Sequence, residues 1–258
     1  MTAPASASGL VLYDAANVPS PRRVRICLFE KRLPFTIRWL NLGLMDQKAP
    51  DYLTVNPMGL VPTLIHGDTT IYDSNVINEY LDALQPAPPL MPCDPRGQAQ
   101  VRMWFAFEND WAKPFRAVVY ETLAKDRIRA TGLTAQQVKG EIAKRTPNPV
   151  YGAIAERLLV APPDDRLVVE QLALVFEKIE QMERVLGDGR PWLCGEAFTL
   201  ADIALAPRLD MFPALGVDDL PRRFPATGAF LERVKARPSW TQSALVPQPG
   251  EVERSVTP

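Results

Sequence analysis

Histidine is almost missing from this chain: His66 stands alone among 258 residues, so no His-rich metal cluster is available. Cysteine is nearly as scarce. Cys27, Cys93 and Cys194 are odd in number and far apart, which excludes both a disulfide framework and a Cys-x-x-Cys redox pair. Neither sign of charge is in excess beyond a formal net charge of -1, and no block of like charges offers a footprint for nucleic acid or an anionic membrane surface. No apolar run approaches the ~20 residues of a bilayer span, and the opening MTAPASASG lacks the basic start and apolar middle of a secretory signal. These absences predict a cytoplasmic protein with neither nucleic acid nor membrane among its partners.

What is present is enough to build a core. With 47% hydrophobic and 23% charged residues, the chain reads as ordinary globular protein of one large or two small domains. Residues 1–9 read as a flexible N-terminus. LVLYDA reads as a strand, RRVRICLFEKRL as a helix and FTIRWLNL as a second strand, a β-α-β beginning. TLIH and TTIY then form a hairpin across Gly67-Asp68, and DSNVINEYLDAL a helix with Asp73 or Ser74 as its N-cap. PAPPLMPCDPRG, with five prolines in residues 86–97, ends this unit. The spacing therefore predicts a first domain over 10–86, a linker over 87–97, an all-helical domain over 98–240 and a loosely held tail over 241–258. In the helical part, FTLADI carries Thr199 as N-cap with Asp202 three residues on, close to a capping box and best read as a folding device.

One local feature asks for a chemical explanation. Pro62 stands where the apolar run VPTLI becomes a strand, although proline cannot donate a ladder hydrogen bond; it marks a strand edge or a deliberate backbone feature such as a cis bond.

NPMGLVPTL before the third strand, DSNVINEYL opening the next helix, the proline-rich linker and FTLADI together resemble the soluble glutathione S-transferase superfamily, over roughly residues 10–240. AQVRMWFAFENDW and KRTPNPVYGAIAERLL look most like its bacterial branch that includes the glutathione-dependent lignin β-etherases. The resemblance implies an α+β two-domain architecture, with an N-terminal thioredoxin-like α/β domain and an all-helical C-terminal domain. It also implies glutathione as co-substrate, a hydrophobic small-molecule electrophile as second substrate, a detoxification role and a homodimer. By the same resemblance Pro62 is cis and presents the main chain of Val61 to the cysteinyl unit of glutathione. Asp73 and Ser74 hold its γ-glutamyl end, the helix start and hydroxyl taking the carboxylate and the Asp73 carboxylate the ammonium. Lys48 is the candidate for the glycyl carboxylate, with Gln47 competing, although loop lysines are ordinarily solvated.

The chemistry requires a thiolate from a thiol of pKa near ~8.5, and the donor that stabilises it belongs at the start of the first helix, in DAANVPSPRRVRI. An ungapped match puts Val18 at the position of the family's catalytic residue, and valine cannot donate. Ser20 is then the first candidate and Asn17 the second, each also readable as turn or cap chemistry, Ser20 as an N-cap before Pro21. Tyr13 reads as packing, Trp39 as an apolar strand residue and Cys27 as a buried small residue. Of Arg22, Arg23 and Arg25, at most one is expected to face the site. Trp104, Phe107, Glu108, Trp111, Phe115 and Tyr151 are the candidates for an electrophile pocket, with Phe107 and Trp111 preferred.

Overall fold

A computed structural model describes residues 9–258; the expectation of a flexible N-terminus falls mostly on residues outside that range. Strand β1 (Leu10–Asp14) leads into helix α1 (Pro19–Glu30) and strand β2 (Phe35–Trp39), followed by a short α2 (Pro50–Val55). The hairpin β3 (Thr63–His66) and β4 (Thr69–Tyr72) turns through Gly67, whose φ of +57° suits a residue without Cβ. It feeds α3 (Ser74–Leu84). The helical remainder comprises α4 (Pro95–Thr122), α5 (Ala124–Arg129), α6 (Ala135–Arg145), α7 (Pro149–Val160), α8 (Asp165–Leu186), α9 (Leu200–Leu209), α10 (Leu220–Arg223), α11 (Pro225–Lys235) and α12 (Pro238–Gln242). A last strand, β5 (Glu253–Val256), closes the chain. None of the described helices is long and apolar enough to cross a membrane.

The sheet order is β4-β3-β1-β2-β5, with β1 and β2 parallel and the other pairs antiparallel. The β5 pairing corrects the expected loose tail. ERSV lies along β2 from Phe35↔Val256 to Arg38↔Glu253, and Trp39 N–H donates to Val252 C=O at 2.9 Å. The backbone edge of β2, unpaired on that side, supplies the partner; a short polar strand without apolar alternation gives no sequence signal. The linker also ends earlier than expected. Asp94 accepts from Gly97 N–H at 2.9 Å, and Pro95 occupies the first turn of α4, where its missing N–H costs nothing.

The described residues form two compact units that do not follow the boundary expected at 87–97. The first takes residues 9–39, Val61–Asp110 and Lys178–Pro258; the second takes Leu40–Leu60 and Trp111–Glu177. In the first, Leu12, Ile37 and Leu64 of the sheet, Val24, Ile26 and Leu28 of α1, and Ile77 and Leu81 of α3 are wholly buried, as are the apolar residues of α9. In the second, Ile128, Val138, Ile142, Ala155 and Leu158 of α5–α7 make one core with Met45. Apolar residues recurring on one face of α3 and α5–α7 serve these cores, whereas α9 is buried at every position from Leu200 to Leu209.

Candidate functional site

Strand register gathers the sequence candidates of the first unit at one end of the sheet. Tyr13 and Tyr72 both pair with Thr63. The chain leaving β1 toward Asn17 and Ser20, the chain entering β3 through Val61 and Pro62, and the chain leaving β4 into Asp73 and Ser74 therefore share that end. Val61–Pro62 is cis, and β3 begins only at Thr63, so Val61 stands outside the ladder.

Asp73 adopts φ +73° as the N-cap of α3, and its Oδ1 accepts from Asn75 N–H at 2.8 Å and Val76 N–H at 3.3 Å. One oxygen thus closes the helix start, while Oδ2 and the Ser74 N–H take no part in the cap. Asp73 is exposed and Ser74 buried.

Helix α1 begins differently. Its N-cap is Val18, not Ser20, and no side chain caps it; Pro19 stands at the first helical position. The cap reading of Ser20 is therefore corrected: Pro19, two residues before Pro21, fixes the helical φ and places Ser20 inside the first turn. Pro19 and Pro21 have no N–H, and the regular backbone bonds start with Arg22 N–H to Val18 C=O at 3.3 Å. Among the first three helical residues only Ser20 retains an N–H, beside its own half-buried hydroxyl. Asn17, exposed, holds a left-handed φ of +56° in the preceding turn.

The three arginines of α1 are all paired. Arg22 binds Asp210 at 2.9 Å and lies 3.9 Å from the centre of the Trp240 ring; Arg25 binds buried Asp14 at 2.8 Å. Arg23 is the one that reaches the candidate site, its Nη1 donating to Ser74 Oγ at 3.3 Å while Nη2 binds Glu108. Glu108 also accepts from Arg208 Nε at 3.1 Å and from Arg208 Nη2. Burial alone pushes the Glu108 carboxyl up, but the charges and hydrogen bonds of Arg23 and Arg208 outweigh it and hold the pKa at about 2. Glu108 is thus removed from the pocket candidates. The sequence signalled the arginine cluster but not this convergence, because Glu108 and Arg208 lie far along the chain.

Tyr13 Oη accepts from Arg38 Nη1 at 3.1 Å, and Cys27 is fully buried with burial pushing its thiol pKa up, which removes Cys27 as a nucleophile. Trp39 is a buried strand residue. On the first half of α4, the half-buried rings of Phe107 and Trp104 meet edge to face at 5.1 Å, with Lys178 Nζ 5.0 Å from the centre of the Phe107 ring.

Within the second unit, Trp111 is 0% exposed and packs on Phe115. The preference for Trp111 as a substrate contact is overturned: its spacing on α4 serves a core. Phe115 shares that fate at 1% exposure. Tyr151 is half-buried beside the α5–α7 core. Lys48 is not a solvated loop lysine. Its ammonium donates to Met58 C=O at 3.3 Å and lies 5.8 Å from the centre of the Tyr151 ring, with partial burial pushing its pKa down. Gly59, at φ +57°, makes room for it, since a Cβ there would come within 2.7 Å of Lys48 Nζ. Gln47, the competing residue, is buried, its Nε2 3.6 Å from Met45 Sδ. Among the described residues no cluster of His, Cys, Asp or Glu fits a metal ion.

Known proteins resemble this chain over both its N-terminal and its helical part. The family model of the glutathione S-transferase N-terminal domain matches residues 19–84, and that of the C-terminal domain residues 148–238. A glutathione S-transferase of Hyoscyamus muticus is 26% identical over 237 residues, covering 91% of this chain and 97% of its own length. The stringent starvation protein A homolog of Pasteurella multocida (strain Pm70) is 30% identical over 229 residues, 88% of this chain and 86% of its own. Among solved structures, β-etherase LigF from Sphingobium sp. strain SYK-6 matches with a TM-score of 0.77 at 23% identity, over 91% of this chain and 98% of that one, a likeness of fold. The chain belongs to the glutathione S-transferase family, with its thioredoxin-like and helical parts, and glutathione is the co-substrate of that family.

Proposed function

We propose that this protein is a glutathione-dependent transferase of the cytoplasm that binds glutathione at the shared end of β1, β3 and β4, stabilises its thiolate and directs it at a hydrophobic, aromatic electrophile. The observation that supports the reading most is the start of α3. There the Asp73 carboxylate keeps one oxygen outside the cap, and Ser74 keeps both its N–H and a hydroxyl held by Arg23. A free α-amino acid end, with one ammonium and one carboxylate, is the ligand chemistry those groups complement. In this reading the Val61 main chain, standing outside the ladder, pairs with the cysteinyl unit as a short added strand.

The thiolate then falls to α1. Lowering a thiol pKa by ~2 units requires about 2.7 kcal/mol of preferential interaction with the anion. One or two charge-assisted hydrogen bonds from the Ser20 hydroxyl and N–H, with the helix dipole behind them, are of that size. Asn17 is the second candidate donor. The thiol loses its proton to solvent. The sulfur lone pair forms the new bond to an electrophilic carbon, and the displaced group leaves with its bonding pair, whether that group is a halide or the aryloxide of an aryl ether. Phe107, half-buried on α4, is the proposed apolar wall for the electrophile. A homodimer completes the proposal and is checked by light scattering of the purified protein.

The test is calorimetric titration of glutathione at several pH values into the wild type and Ser74→Ala. Saturable binding with proton release near neutral pH, weakened by Ser74→Ala, is the expected result. Binding without proton release would favour a non-catalytic carrier on the same fold, and no binding would remove glutathione from the reading.

A further inference from the structure

Three charged side chains from three helices meet in the interior of the first unit. Arg23 of α1 is 1% exposed, Glu108 of α4 2% and Arg208 of α9 5%. Both guanidiniums converge on Glu108 Oε1. Stability is a poor reason for such a cluster, because burying ions costs solvation that pairing at best returns, and apolar side chains of similar volume often do as well or better. The cluster is also tied to the start of α3 by the bond from Arg23 Nη1 to Ser74 Oγ, 3.3 Å long. Arg23 also stands three residues after Ser20, on the same face of α1.

We propose that Arg23 is a positioning residue for an anionic carboxylate at the start of α3, with Glu108 and Arg208 as the clamp that holds it. Ser74 Oγ accepts from Arg23, which fixes the hydroxyl and leaves its proton to be donated to the ligand. The buried Arg23 guanidinium lies behind that hydroxyl, where water screens its charge least. This rests on the glutathione reading, in which the carboxylate is the α-carboxylate of the γ-glutamyl unit. It adds an order of importance: the carboxylate, backed by a buried cation, sets affinity more than the ammonium, which meets only the exposed Asp73.

Three tripeptides are titrated calorimetrically: glutathione, γ-aminobutyryl-cysteinylglycine, which lacks the α-carboxylate, and glutaryl-cysteinylglycine, which lacks the α-ammonium. With the wild type, loss of the carboxylate weakens binding more than loss of the ammonium; the reverse order overturns the inference without any variant. Arg23→Gln weakens glutathione about tenfold to hundredfold, the range of one charge-assisted hydrogen bond. It weakens the carboxylate-free analogue by less than about threefold, and Arg23→Lys recovers part of the loss. Equal weakening of both ligands identifies Arg23 as a general scaffold residue and overturns the inference. So does glutathione binding indifferent to Arg23. Failure of the wild type to bind glutathione at all removes the underlying reading instead, and the inference with it.

Discussion

Two helix starts in the same unit are built to opposite ends. At α9 every early N–H is used: Leu200 donates to Leu90 C=O at 2.9 Å, Ala201 to Thr199 Oγ1 at 3.3 Å and Asp202 to Thr199 C=O at 3.1 Å. Asp202 reaches back to accept from Thr199 N–H at 2.7 Å and outward to accept from Leu193 N–H at 2.8 Å. At α1 no side chain caps the helix, two of the first three residues are prolines, and the N–H and hydroxyl of Ser20 are left beside one another. The start of α3 lies between, half-closed by Asp73. A helix end that satisfies itself is a folding device, whereas one that leaves polar groups over has them available for a ligand. The difference separates structural from functional residues where motif spacing alone does not.

Breaking the closed end has the largest expected effect. Asp202→Ala removes the capping box and strands the buried Thr199 and Leu193 donors, a loss of about 3–5 kcal/mol from one cap plus two unsatisfied amides. Denaturant unfolding measures the loss, and glutathione affinity of the folded fraction is expected to stay at the wild-type value. A fall in affinity matching the fall in stability would erase the distinction between the two ends.

That contrast also tracks what was legible in the sequence. The Thr199–Asp202 box, the Gly67 turn and the Asp73 cap are local, and their residue types state their partners within a few positions. The helix start lies two residues before the one Ser20 and Pro21 suggest, because Val-Pro-Ser-Pro offers two prolines that can each open a helix, and the earlier one does. β5 and the Arg23–Glu108–Arg208 cluster were not legible. One is a polar strand defined only by the edge it meets, the other a junction of side chains 85 and 100 residues apart. Trp111 and Phe107 stand four residues apart on one helix, yet one ring is core and the other half-exposed; periodicity places residues on a face but does not say what covers it.

A smaller effect comes from the charge cluster that adjoins the open ends. Glu108 titrates near 4.5 when unperturbed and at about 2 in the folded protein, so the unfolded chain binds its proton first as pH falls. The stability it contributes is fully present above pH 4.5 and is lost as pH drops through about 2, a change on the order of 3 kcal/mol. Glu108→Gln is expected to lower stability at neutral pH, because two buried guanidiniums lose their anion, and to flatten the acid limb of the stability curve. Chemical unfolding of both proteins across that window checks it; an acid limb as steep in the variant as in the wild type would mean that other carboxylates govern it.

The smallest effect on stability is expected where the functional consequence is most specific. Ser20→Ala deletes a hydroxyl that caps nothing, so unfolding free energy should move by no more than about 0.5 kcal/mol. If that hydroxyl stabilises the bound thiolate through a charge-assisted bond, its removal raises the pKa of bound glutathione by about 1–2 units, the equivalent of roughly 1.5–3 kcal/mol. Thiolate absorbance of the bound tripeptide followed against pH reads the shift directly, with Asn17→Ala alongside. A shift in Asn17→Ala and none in Ser20→Ala moves the donor into the left-handed turn before the helix. No shift in either turns attention to main-chain N–H groups, that of Ser20 between its two prolines among them, and Val18→Ser then asks whether a hydroxyl at the cap position lowers the thiol pKa further.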